Sequence, residues 1–134
     1  MIGILKREIL GQAVVITLGV PSLDIQNASR IQRIVADEIP REGSAIIDLG
    51  ELRYFDVTGF AAILSWVAES PSKAEVRLCS GSGAIRALFE LLQGDKLVPL
   101  YVSVEEAAIS LPGAERIGAD LQTTFVPGQI AWIR

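Results

Sequence analysis

A chain of 134 residues has the size of one domain, large enough to build a real core. Half of it is hydrophobic and mean hydropathy is +0.41, yet no apolar run approaches the roughly 20 residues needed to span a bilayer, so no direct membrane insertion is expected. A net charge of −4, scattered basic residues, no histidine and the single Cys79 argue against nucleic acid as a partner, against an intrachain disulfide or Cys-rich metal site, and against His-dependent triads.

The elements read as follows in chain order. Ile2–Leu10 and Ala13–Leu18 are two strands, and Gly11-Gln12 between them is a tight turn that forces them antiparallel. Gly19-Val20-Pro21-Ser22 breaks the pattern. A helix from about Ile25 to Glu38 follows, with Ala28, Ile31, Ile34 and Val35 on one face, and Pro40 ends it. Ser44–Leu49 is an Ile-rich buried strand, and Thr58–Glu69 is an apolar helix. After a turn at Ser70-Pro71-Ser72, Ala74–Cys79 alternates Val76 and Leu78 against Glu75 and Arg77, as a half-buried strand does. Ser80-Gly81-Ser82-Gly83 leads into a third helix with Ile85, Leu88, Phe89 and Leu92 on its apolar face. Leu100–Val102 is a short strand. Ser103-Val104-Glu105-Glu106 is a capping box that opens a last helix running to about Ser110. The order predicts an α/β fold: a mixed sheet of four to five strands, with about four helices packed on at least one face.

Pro112-Gly113 closes this unit. Residues 1–112 are therefore expected to form the domain, and residues 113–134 a C-terminal extension. Phe125, Ile130, Trp132 and Ile133 make the extension too apolar for a solvated linker. It is expected to dock on its own domain or on a second copy, with the homodimer the favoured outcome.

The most informative stretch is the strand-to-helix junction Tyr54-Phe55-Asp56-Val57-Thr58-Gly59. A helix N-terminus leaves backbone N–H groups unpaired and favours negative charge, so a hydroxyl there can be phosphorylated without disturbing a core. Thr58 is the candidate phosphoacceptor, or else simply the N-cap of the helix. Asp56 either orients that hydroxyl or helps position a kinase-bound metal, or else it caps the helix or forms an Asx-turn. Gly59 either lets a partner's backbone approach or is required by the turn. Val57 can offer an apolar contact but no hydroxyl. Ser82 reads as a helix cap on a loop that can line the same partner surface. The Ser80–Gly83 run lacks the Gly-Lys-Ser/Thr ending of a P-loop. Asp48 and Glu51 read as solvated loop charges, and Cys79 as a small buried residue.

Asp56-Val57-Thr58-Gly59 resembles the switch motif of the STAS domain, the sulfate-transporter and anti-sigma-factor-antagonist family, whose motif is Asp-Ser-Ser-Gly with the second serine as phosphoacceptor. The resemblance puts Thr58 on the phosphoacceptor position and Val57 in place of the first serine. Ile85–Leu92, Asp95–Tyr101 and Ser103–Ala108 resemble the third helix, last strand and closing helix of the same family, so the likeness runs over about residues 3–111. Gln93-Gly94 departs from it, since the family usually has a glycine followed by an apolar residue. The resemblance implies a cytoplasmic, non-enzymatic regulatory module without a cofactor. It would bind an anti-sigma factor of the serine/threonine kinase type and be switched by phosphorylation of Thr58. Two alternatives stand beside it: a STAS subunit of a stressosome-like or lipid-transport complex, structural or gating and without phosphorylation, and a small-ligand sensor or enzyme.

Overall fold

The computed structural model describes residues 3–68 and 74–112. Strand β1 (Ile4–Leu10) turns at Gly11 into β2 (Ala13–Leu18), antiparallel, with Leu10 opposite Ala13. Gly11 takes φ +61°, a conformation open to glycine at little cost. Then follow β3 (Ser22–Leu23), α1 (Ala28–Glu38), β4 (Ser44–Asp48), β5 (Tyr54–Phe55), α2 (Val57–Ala68), β6 (Glu75–Cys79), α3 (Gly83–Leu91), a 3₁₀ turn at Gly94–Lys96, β7 (Leu100–Tyr101) and α4 (Val104–Ile109).

The main sheet has the order β1-β2-β4-β6-β7, with β1 antiparallel and the rest parallel. It is the mixed α/β architecture of five strands and four helices that the element order implies. β2 lies between β1 and β4 inside the sheet and is buried at every position. On one face Val14, Ile16, Ile47 and Leu78 meet Ile31 and Val35 of α1, Ile63 and Trp66 of α2, and Ile85 and Phe89 of α3. On the other, Leu10, Ala13, Val15, Ile46 and Cys79 meet Ala107 and Ala108 of α4. Cys79 is fully buried there, and burial pushes its thiol up to about 12, which leaves it unreactive.

Two short strands were not legible from the pattern. β3 and β5 pair in parallel as a separate two-stranded ribbon, Ser22 with Tyr54 and Leu23 with Phe55. A two-residue strand has no period to read. α1 starts at Ala28 rather than Ile25, because Asp24 and Asn27 fold the preceding residues into a turn: Asp24 Oδ1 accepts from Gln26 N at 3.0 Å and Asn27 Oδ1 from Asp24 N at 2.9 Å. The helix ends as expected before Pro40, with Ile39 extended at ψ 125°. Ser103 Oγ accepts from Glu106 N at 3.1 Å, the forward half of a capping box. Gln93, the departure from the family pattern, takes the left-handed conformation (φ +60°) that a glycine would take freely, and Gly94 beside it lies against Phe60 and Phe89. The turn at Ser70–Ser72 and the extension 113–134 lie outside the described residues.

Candidate functional site

The junction between β5 and α2 is held by one side chain. Asp56 Oδ1 accepts from Gly59 N at 2.9 Å, and the Asp56 carbonyl accepts from Phe60 N at 2.8 Å, which makes Asp56 the N-cap of α2. Its second carboxylate oxygen accepts from Ile25 N at 3.0 Å, across to the loop before α1. Bonds from Gly59 and Ile25 hold the carboxyl below its ordinary value of 3.8. Of the two expectations for Asp56, capping is the one these bonds describe. With both oxygens engaged by backbone N–H groups and its basicity lowered, it is a poor base toward a neighbouring hydroxyl.

The same geometry corrects the cap assignment of Thr58. Thr58 is the second residue of α2, exposed, and Asp56 does the capping in its stead. Val57 beside it is 69% exposed. Ile25, 77% exposed, is tethered to Asp56, and Tyr54 at the end of the ribbon is half exposed. Asp56 thus gathers an apolar rim, Ile25, Tyr54 and Val57, around the loop that carries Thr58. Ile25 and Tyr54 were missed by sequence reasoning. The signal available was the Asp24–Asn27 turn, which takes Ile25 out of the helix and off its apolar face.

Gly59 is buried and has helical, not left-handed, backbone. A Cβ there would overlap the Leu23 carbonyl oxygen, lie 2.7 Å from that carbonyl carbon and 3.0 Å from Phe55 Cβ. Its missing side chain lets α2 close onto the protein's own β3, a requirement set by packing and not by turn geometry.

Ser82 caps α3, its Oγ accepting from Ile85 N at 3.3 Å. The Ser80–Gly83 loop leaves the C-terminal end of β6, next to the loop that leaves β4: Leu49 N donates to Cys79 O at 2.9 Å. Both loops therefore sit at one end of the sheet, with Ser82 occupied in capping. Asp48 Oδ1 accepts from Gly50 N at 2.8 Å and shapes the start of the junction loop, while Glu51 is exposed. Among the described residues no group of three or more His, Cys, Asp or Glu is arranged to hold a metal, and no helix is long and apolar enough to cross a membrane.

The family model described as STAS domain matches residues 5–107. The chain belongs to the STAS domain family. Similar solved structures include an anti-sigma factor antagonist from Mycobacterium paratuberculosis, at TM-score 0.62 and 18% identity over 76% of this chain and 87% of that one. The anti-sigma factor antagonist SpoIIAA in its unphosphorylated form superposes at TM-score 0.52 and 21% identity over 78% of this chain and 92% of that one. The murine Solute Carrier 26 family member A9 anion transporter contains a similar unit, at TM-score 0.64 and 14% identity over 76% of this chain but 18% of the transporter. At these identities the likeness shows the STAS fold alone. A comparison with curated proteins finds none that matches the sequence.

One consequence of the STAS junction is testable with acid. The carboxyl of Asp56 is depressed in the folded state, so its stabilising effect is fully present above the ordinary carboxylate value of 3.8 and is lost as pH falls through the depressed value. Asp56→Ala should melt at lower temperature than the parent between pH 5 and 7, with Asp56→Asn in between, since Asn also caps. The gap between parent and Asp56→Ala should close in strong acid. A gap that stays constant from pH 7 down to 2 would contradict the assignment.

Proposed function

We propose that this STAS domain is a regulatory binding module of the anti-sigma-factor-antagonist type. It binds a kinase-type anti-sigma factor through the rim Ile25, Tyr54 and Val57, and phosphorylation of Thr58 within that rim releases it. The observation that carries the reading is the exposed Thr58 hydroxyl at the head of a helix whose capping is supplied by another residue. The cap and the phosphoacceptor are thereby separate, so modification need not unfold α2.

The partner kinase supplies ATP. The Thr58 oxygen attacks the γ-phosphorus, the bond to the ADP oxygen breaks, and the hydroxyl proton passes to a base of the kinase, because Asp56 is engaged and weakly basic. The added phosphate carries about −1.5 to −2 charges. At the first turn of α2 the helix dipole tolerates it in the free domain. Against a packed apolar rim the same charge loses hydration without finding a partner, so binding weakens while the fold persists.

The test is to incubate the purified chain with a kinase-type anti-sigma factor encoded in the same genome and ATP, then map phosphate by mass spectrometry. One phosphate on Thr58, abolished by Thr58→Ala, is expected; phosphate on another residue contradicts the reading. A second reading is favoured by Val57, whose exposed apolar side chain stands where the family's motif has a first hydroxyl. In it the same rim docks permanently in a larger assembly, as a structural or gating subunit. That reading predicts tight binding that does not respond to ATP.

A further inference from the structure

The face of the sheet that carries α4 is only partly covered. α4 packs over β4, β6 and β7. Beside it, over the β1–β2 half, lies a groove of ≈ 260 Å³ lined by Leu10, Val15, Thr17 and Val104, with Lys6, Glu8, Asp48 and Glu105 at its margin. Glu8 pairs with Lys6 at 2.9 Å. The margin thus holds three carboxylates and one ammonium. The volume falls short of the ~300–1,000 Å³ usual for small-molecule sites and suits inserted side chains better.

We infer that this groove is the docking site of the chain's own residues 121–134. Three observations converge on that occupant. The described chain runs out of α4 through Leu111, which is buried in the same layer as Leu10 and Val15, so the extension starts on this face. From Pro112 to Trp132 the chain can span roughly 66 Å when extended, against about 20 Å for the width of a five-stranded sheet, so reach does not force it elsewhere. From Leu121 to Arg134 there is no acidic side chain, and the one charged side chain, Arg134, is opposite in sign to the carboxylates of the groove margin. Several apolar residues must be buried together to offset the ordering of the segment, and Phe125, Ile130, Trp132 and Ile133 supply them. Intramolecular docking is preferred to the homodimer expected from composition, because the described chain leaves α4 on this face of the sheet. The inference does not depend on Thr58 or on its partner.

The test compares backbone amide spectra of the full chain with those of its Trp132→Ala and Phe125→Ala variants. Amide shifts at Lys6–Leu10, Ala13–Thr17 and Val104–Ala108, in a protein of monomer mass, are expected for Trp132→Ala, with smaller changes on the same face for Phe125→Ala. Perturbation confined to residues 113–134, or placed on the α1–α3 face, overturns the inference. So does a doubled molar mass with concentration-dependent shifts, which would assign the segment to a second copy.

Discussion

Gly59→Ala should destabilise the protein by about 1–3 kcal/mol or more, although it adds a single methyl group in a helix where alanine is otherwise the better residue. The methyl overlaps the Leu23 carbonyl, and backbone cannot swing aside as a flexible side chain can. Relief requires moving α2 off the β3–β5 ribbon, which also displaces Asp56 from Ile25 N and breaks the rim. The neighbouring position should behave in the opposite way. Thr58→Ala and Thr58→Asp alter an exposed residue that caps nothing, so each should stay within about 0.5 kcal/mol of the parent. Urea melts of the three variants check this. Equal stability of Gly59→Ala and the parent would show that α2 does not close on β3 as described.

The largest loss is expected at Trp66. It is 1% exposed, packs between the sheet and α1, and its Nε1 donates to the Gln32 carbonyl at 3.1 Å. Gln32 answers with a bond from its Nε2 to Ser65 Oγ at 3.3 Å, so α1 and α2 are tied at two adjacent points. Trp66→Ala removes the largest fully buried side chain among the described residues and should cost about 3–5 kcal/mol. Trp66→Phe keeps most of the burial and loses the hydrogen bond, worth about 0.5–1.5 kcal/mol, together with some packing. Denaturant titration should therefore rank parent, Phe and Ala in that order, with the larger step between Phe and Ala. Similar values for Phe and Ala would mean that the indole N–H rather than the packed ring holds the two helices.

How much of this was legible in the sequence depends on the length of the pattern that each element offers. β1, β2, β4 and β6 each run five to seven residues, enough for alternation or an apolar run to show. α3 announced itself by Ser82 and by the spacing of Ile85, Leu88 and Phe89, and α4 by Ser103 and Glu106. The ribbon β3–β5 did not, because Ser22-Leu23 and Tyr54-Phe55 are defined by pairing across 32 residues and not by any local period. That omission propagated to the site. Without β3 there was no reason for Gly59 to be small toward its own domain. Without the Asp24–Asn27 turn, Ile25 was the first residue of a helix and not a part of the rim. Asp56 and Thr58 could be named from the motif, yet the division of labour between them could not. Both are favoured N-cap residues, and which one caps is decided by where Gly59 N and Ile25 N point in the fold.

The central claim is that the surface around Thr58 binds a partner and that charge on Thr58 turns binding off. The most direct measurement is the affinity of a kinase-type anti-sigma factor for the parent chain, Thr58→Ala and Thr58→Asp, at fixed ionic strength without ATP. The expected result is near-equal binding by the parent and Thr58→Ala and at least a tenfold loss for Thr58→Asp, with all three equally folded. Equal affinity across the three variants would contradict the account.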